Sequence, residues 1–441
     1  MKRITIFIVI VLCITTCNNE VINNYTDNQV IELRMPDATK VTVYSEAANS
    51  ENMIDEIWVL EFNTSGGLKH SELIEGSRII NKDNATQLLP QLTFKAENGN
   101  RIVCIANSGV TTPLPSDITY TTINTVFLLN DAYYSGGDYL PMYGEMEWSS
   151  SSSHICKMTR AVAKIQVQMG TSNPDVSGGF TAENVSYKIY DAGAGGYIQP
   201  SASVQGISQS TAGQATQTYY LSQKEGTAET EAYIHEYPTS TKTSTNGTVG
   251  DGTFNKDRQH IILTKTVGGI NTYYRLDFYD AITKKYMDTE RNHHYIFTIH
   301  KVRSEGYTRL EDAHHYPGSN IEYDFEIVDD SKSVASNGQY AIITSVDTAY
   351  ITSAGAVTDS IIATARYKLP AGISLNPSTT NSIEVTSAAP SPSGIMTSTG
   401  ISVLSATNEN IKVTVNAAFT EGVITLKLGN ITHRLHVKRK P

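Results

Sequence analysis

Cysteine is scarce in this chain, with four copies in 441 residues, and two of them, Cys13 and Cys17, fall in the first 17 positions. That count excludes a disulfide-rich scaffold and a cysteine-based zinc site. Cys104 sits in the apolar run Ile102-Val103-Cys104-Ile105-Ala106. Cys156 lies in a second strand-like stretch, 155–158. Both read as buried free thiols, with a disulfide between them as the alternative. Long apolar runs are missing as well. After residue 14 nothing approaches the roughly 18 residues of a membrane-spanning helix. Positive charge is short, with 34 Lys+Arg against 44 Asp+Glu and no basic run, so nucleic acid is not an expected partner. There are only two tryptophans, which thins any case for sugar faces stacked on rings.

Catalytic signatures are absent too. The sequence has no G-x-S-x-G, no H-E-x-x-H, no phosphate-binding glycine loop and no dinucleotide fingerprint. Asp312, His314 and His315 form the best metal candidate. On an extended chain adjacent histidines point to opposite faces, so at most one shares a metal with Asp312, and a solvated loop is the favoured reading. His293-His294 and the pair His433 and His436 fail for the same reason. No enzyme activity, metal or cofactor is expected.

What is present begins at the N-terminus. Lys2 and Arg3 precede the apolar stretch 4–14, and Ile14-Thr15-Thr16-Cys17 is followed by polar Asn18-Asn19-Glu20. This is the form of a bacterial lipoprotein signal, with Cys17 as the lipidated residue; a plain secretory signal is the competing reading. Each buried CH₂ of an acyl chain contributes about 0.8 kcal/mol to membrane attachment. Removing residues 1–17 takes away two positive charges and no acidic ones, making the formal charge of −10 more negative still.

Strands dominate wherever a period can be read. Ile321, Tyr323, Phe325 and Ile327 alternate with Glu322, Asp324 and Glu326, an apolar-in, charged-out pattern. Ala163, Ile165, Val167 and Met169 form a second such row, Tyr274, Leu276 and Phe278 a third, and Trp58, Leu60 and Phe62 a fourth. Twenty-five tyrosines suit pleated, half-solvated surfaces. Short helices are expected only at 85–92 and within 117–130. Polar tracts at 149–153, 238–257 and 329–333 read as breaks or loops. The end of the chain, 422–428 and 431–437 around Gly429-Asn430, reads as a β-hairpin. The segment 334–441 is expected to form a small immunoglobulin-like sandwich.

Five separate segments resemble the fimbrillin superfamily, the lipoprotein-derived pilus subunits of Bacteroidota. Ile54-Asp55-Glu56-Ile57-Trp58-Val59-Leu60-Glu61-Phe62 is similar to that family's first core strand. Arg101-Ile102-Val103-Cys104-Ile105-Ala106-Asn107-Ser108-Gly109 resembles the strand that follows it. Leu140-Pro141-Met142-Tyr143-Gly144-Glu145 resembles its Pro-Met-Tyr-Gly turn. Thr159-Arg160-Ala161-Val162-Ala163-Lys164-Ile165 resembles the strand opening its second domain, and Arg291-Asn292-His293-His294-Tyr295, continuing through Lys301-Val302 to Gly306-Tyr307, a strand late in that domain. They cover roughly residues 50–310, in the family's order and behind a lipobox.

The resemblance implies an all-β chain of tandem antiparallel β-sandwich domains, transthyretin-like with Greek-key connections. The expected divisions are a signal peptide at 1–17, sandwiches at 18–156 and 157–333, and the immunoglobulin-like unit at 334–441. It further implies a surface-exposed, lipid-anchored subunit of an outer-membrane fimbrium that serves cell adhesion and joins other subunits by strand exchange. A protease acting after Arg removes the first strand, and a strand of the next subunit fills the groove. Here that strand would be Val30-Ile31-Glu32-Leu33-Arg34-Met35, with Ile31, Leu33 and Met35 facing inward. The chain departs from the pattern twice. No arginine occurs between Met35 and Arg78, leaving Arg34 and Lys40 as candidate processing residues, and an extra unit follows residue 333. The first departure suits an anchor, the second an accessory or tip subunit. Asp347-Thr348-Ala349 and Asp359-Ser360-Ile361 resemble a tripeptide O-glycosylated in this phylum, which makes Thr348 and Ser360 candidate modification sites. Two other readings compete. One is a non-polymerising surface lipoprotein that binds glycans or host ligands, with Trp148, Tyr133 and Tyr134 as its aromatic candidates. The other is a hydrolase, which would need two carboxylates in one cleft.

Overall fold

The computed structural model describes residues 30–35, 51–83, 86–111, 113–129, 133–135, 139–150, 154–170, 180–201, 204–205, 207, 215–223, 230–238, 256–280, 285–318, 320–329, 334–336, 341–344, 348–351, 353, 355–368, 384–388, 396–399, 409–417, 419, 421–428 and 431–439. Almost all of the regular structure is β, in tandem antiparallel sandwiches. Cys17 and Lys40 lie outside these residues.

The first sheet is built from β1 (Ile31–Arg34), β2 (Glu56–Phe62), β3 (Leu68–Glu75), β4 (Ile80–Asp83), β5 (Thr86–Leu88) and β6 (Arg101–Ala106), followed by β9 and β10. Between them come two short strands, β7 (Leu128–Leu129) and β8 (Tyr133–Ser135); β9 is Met142–Glu147 and β10 is His154–Arg160. The spatial order is β3-β2-β6-β9-β10-β1-β5-β4. Its central strands β2 and β6 carry apolar residues on both faces, in the runs 57–60 and 102–106, because the sheet is covered on both sides. On β2, Ile57 and Val59 join one core, while Trp58, Leu60 and Phe62 join the other. On β6, Ile102 and Cys104 face the first core, and Val103 and Ile105 the second. Period-2 alternation survives in which core a residue enters, although both sides are dry.

Two local expectations change here. Residues 86–88 form strand β5 rather than a helix, because pairing with β1 and β4 overrides a weak local tendency. The Pro-Met-Tyr-Gly segment is not a turn, since Met142 to Gly144 open β9, between β6 and β10. Gly144 is needed for close approach: a Cβ there would lie 2.7 Å from both Cys156 Sγ and Met158 Sδ. Within 117–130 the chain does coil, as a 3₁₀ turn at Tyr120–Thr122 running into α1 (Ile123–Val126).

A second sandwich follows, with β11 (Val162–Met169), β12 (Val185–Tyr190), β13 (Gly196–Tyr197), β14 (Tyr219–Tyr220), β15 (Glu231–His235), β16 (His260–Val267) and β17 (Ile270–Asp277). The ribbon β18 (Tyr279–Asp280) and β19 (Lys285–Tyr286), strand β20 (His293–Val302), helix α2 (Leu310–His315) and strand β21 (Ile321–Asp329) complete it. The order β21-β20-β11-β15 makes one layer and β14-β12-β16-β17 the other. Ala163, Ile165 and Val167 meet Tyr187, Ile261, Tyr274 and Phe278 in the core between them. Short strands of the first region reach across, β8 pairing with β15 and β7 with β13. The division expected at 156/157 falls inside β10.

The last strands are β22 (Val334–Ser336), β23 (Ala341–Thr344), β24 (Thr348–Ile351), β25 (Val357–Lys368), β26 (Glu384–Ala388), β27 (Met396–Thr399), β28 (Glu409–Val415), β29 (Glu421–Leu428) and β30 (Ile431–Arg439). One layer runs β22-β23-β25-β28-β27. The other, β26-β29-β30, continues the middle sheet, because β30 pairs in parallel with β21 at Ile327 and Val328. Ile342, Ile411, Val413, Ile424, Leu426 and Leu435 fill the space between them. The expected closing hairpin is the β29–β30 pair, Leu428 opposite Ile431.

Candidate functional site

β1 contributes one four-residue strand to a sheet whose other members begin at residue 56. It lies between two strands distant in sequence, parallel to β10 (Leu33 beside Cys156) and antiparallel to β5 (Leu33 beside Gln87). Leu89 N–H donates to Ile31 O at 3.0 Å and extends that pairing. Ile31, Leu33 and Met35 are each 0 % exposed, whereas Glu32 and Arg34 are half-buried and form an ion pair at 2.9 Å. The alternation read in the sequence is therefore the alternation in the sheet. Burying three such side chains contributes about 5–9 kcal/mol. Taking β1 away leaves the edges of β10 and β5 facing each other across a slot about 10 Å wide, two strand spacings. A slot of that kind is a template for another strand.

Glu51 is held by several buried partners. Its carboxylate is buried and accepts hydrogen bonds from Lys164 Nζ at 2.6 Å and Tyr233 Oη at 2.9 Å. Arg160 Nη2 lies 3.3 Å from the second oxygen and donates to Asn52 Oδ1 at 2.8 Å. Gln87, on β5, donates to Asn52 O at 2.7 Å. Burial raises the Glu51 carboxyl, but the charges of Arg160 and Lys164 outweigh it and hold it at about 2. Burial likewise pulls Lys164 down, and Glu51 with Glu231 more than restores it, leaving it above the usual lysine range. This cluster ties Glu51 to the end of β10, to β11 and to β15. Sequence reasoning missed Glu51; only its partners Arg160 and Lys164 fall in a segment singled out above.

The other candidates fall as follows. Arg34 is part of β1, its backbone paired with Lys157 on one side and Thr86 on the other. A protease needs a segment it can extend in its own cleft, and the backbone of Arg34 is not free for that while β1 stays paired in the sheet. Cys104 and Cys156 are both free and buried. A hydrogen bond with Cys104, and then burial, pushes the Cys156 thiol well up, which makes it a packing residue rather than a nucleophile. Thr348 lies on β24, and Ser360 lies half-buried on β25 opposite Val413.

Trp148 is 3 % exposed and stacks on His154, ring centroids 3.6 Å apart. It cannot serve as an exposed sugar platform, which corrects that candidate. Tyr134 is half-buried with its edge toward His235, and the Tyr133 side chain lies outside the description. Asp312, His314 and His315 sit on α2 and not in a loop. His314 Nδ1 is 2.8 Å from His260 Nε2, and His315 bonds the Glu311 carbonyl. His293 and His294 are buried on β20, and His433 meets Thr344 at 3.1 Å. Among the described residues no three potential ligands converge on a metal position, and no helix is long and apolar enough to cross a membrane.

The sequence matches no family model and no curated protein. Solved structures do match. The tip fimbrial protein Mfa3 of Porphyromonas gingivalis, truncated at its C-terminus, is 14% identical with a TM-score of 0.40, over 68% of this chain and 97% of that one. A fimbrial assembly protein of Parabacteroides distasonis is 15% identical with a TM-score of 0.40, over 67% and 94%. A candidate cell adhesion protein of Bacteroides eggerthii is 19% identical with a TM-score of 0.38, over 68% and 95%. These are fimbrial and adhesion proteins of Bacteroidota, the group that the sequence resemblance names. The functional reading rests on the chain's own strands.

Proposed function

We propose that this chain is a fimbrillin-like subunit of a surface fimbrium, serving adhesion, and that β1 is its exchangeable strand. One observation carries the reading: β1 lies in register between β10 and β5, burying Ile31, Leu33 and Met35. Before assembly β1 occupies the slot in cis and prevents edge-to-edge aggregation. After release, a strand from another subunit would restore the same hydrogen bonds and bury equivalent apolar side chains. Because Glu51 is held by its own buried partners, the chain beyond it keeps its place whether β1 stays or leaves. Cys17 would carry the lipid that tethers the unprocessed form to the outer membrane. An immobile Arg34 and a missing loop arginine favour an anchor or accessory position over the stalk, and the work assigned is structural, not catalytic.

The test is the mature N-terminus of the protein from native envelopes, read by mass spectrometry with and without host protease. A chain beginning at Met35 or Val41, found in the fimbrial fraction, supports exchange after removal of β1. An acylated Cys17 with β1 intact at the base of the fimbrium supports an anchor. An acylated chain found only outside any fimbria would overturn the polymerising role and leave a surface lipoprotein.

A further inference from the structure

We infer that the first sandwich carries a binding site for an uncharged saccharide of one or two rings, at the end of the sheet where β2 stops and β6 starts. A cavity of about 620 Å³ opens there between the turn at 63–67 and the coil at 119–121, a size that suits a small ligand. Phe62 and Tyr120 both line it and meet edge to face, centroids 6.0 Å apart. The Arg101 guanidinium carbon lies over the Tyr120 ring, 4.0 Å from its centroid, and the register partner of Arg101 across the sheet is Glu147. Tyr120 and Tyr143 both donate to the same oxygen of Glu145, at 2.7 and 2.6 Å.

The walls are built before any ligand arrives. Asn63 Oδ1 accepts from Ser65 N–H at 3.0 Å, Ser65 Oγ at 2.7 Å and Gly67 N–H at 2.9 Å. Tyr120 N–H donates to Gly66 O at 2.8 Å, Gly67 bridges to Thr119, and a reciprocal Thr119–Thr122 cap closes the coil. Side chains at the mouth are nonetheless solvent-exposed: Arg101, Thr121, Glu145 and Glu147. Preorganisation of the turn and coil lowers the ordering cost of binding.

Charge selects the ligand class. Two carboxylates disfavour an acidic sugar, and the Arg101 guanidinium disfavours a basic side chain. A ring of hydroxyl groups, each both donor and acceptor, answers Arg101 N–H donors and Glu147 acceptors together. The site also stands apart from β1. Phe62 and Tyr143 belong to the core on one face of the sheet, whereas Ile31, Leu33 and Met35 belong to the core on the other. Saccharide binding therefore does not depend on strand exchange, and its failure would leave that reading untouched.

Saturation-transfer NMR on the full chain tests this, using glucose, galactose, N-acetylglucosamine, lactose and maltose at millimolar concentration. At least one should receive transfer at its ring protons. Glu147→Gln should weaken that binding about tenfold or more, and Thr121→Trp should abolish it by filling the mouth. Both positions are exposed, so unchanged thermal melting by circular dichroism verifies the fold. Trilysine and sialyllactose should receive none. The inference is overturned if no neutral sugar binds, if both variants bind like the parent, or if trilysine or sialyllactose is preferred.

Discussion

β1 and β11 hold the same kind of place in their two sheets. Each lies parallel to one neighbour and antiparallel to the other: β1 beside β10 and β5, β11 beside β20 and β15. They differ in length and attachment. β11 has eight residues, six of them buried, and follows β10 after a single residue, Ala161. β1 has four residues, and 21 positions separate Arg34 from the next strand at Glu56. Pairing pattern alone does not make a strand replaceable. The proposed exchange needs a short strand on a long connection to a chain pinned independently at Glu51; a long strand that follows its sheet neighbour after one residue, as β11 follows β10, does not meet that need.

Aspartate placed at the centre of each strand breaks the comparison most strongly. An unpaired buried charge costs several kcal/mol. Leu33→Asp should expel β1 while the second sandwich stays folded, and Ile165→Asp should unfold the second sandwich. Limited proteolysis with fragment mass mapping separates the outcomes. If the two variants lose the same fragments, β1 and β11 are equivalent after all.

Glu51→Gln sharpens the claim of independent pinning. The folded carboxyl sits at about 2 against 4.5 unfolded, so Glu51 contributes roughly 3 kcal/mol. That contribution is present above the unfolded value and is lost as pH falls from about 4.5 toward 2. The variant should lose about that much stability at pH 7 and show a flatter acid limb in urea titrations. Lys164, raised by the same cluster, loses its share only as pH climbs through its elevated folded value. An unchanged acid limb would show that Glu51 does not hold the junction.

Gly144→Ala should cost about 1–3 kcal/mol by crowding Cys156 Sγ, Met158 Sδ and the Lys157 carbonyl, measured as a fall in the urea midpoint. The surface pair contributes least. Glu32→Gln removes a half-exposed ion pair with Arg34 and should change stability by no more than about 1 kcal/mol. A larger loss would mean that the outward face of β1 also holds it in place.

Much of this was readable in the sequence where the physics is local. Ile31, Leu33 and Met35 show their alternation in six residues, and the paired cores of β2 and β6 show as the apolar runs 57–60 and 102–106. The partners of β1 were not readable, because residues 86–88 and 154–157 meet it only in the folded chain. The stretch 85–92 even resembled a short helix, since the three residues of β5 within it carry no period of their own. Glu51 looked like one more acidic residue in a polar stretch; its importance comes from Arg160 and Lys164, more than a hundred positions away. The cavity at Tyr120 escaped notice for the same reason, while Trp148, the obvious aromatic, is spent against His154.

The most direct measurement is hydrogen exchange on a chain beginning at Val41, with and without a peptide covering residues 28–36. The account predicts that amides of His154–Lys157 and Thr86–Leu88 lose protection in the shortened chain and regain it with the peptide, while those of β11 remain protected throughout. Unchanged protection without β1, or none regained with the peptide, would contradict the claim that β1 fills a slot another strand can take.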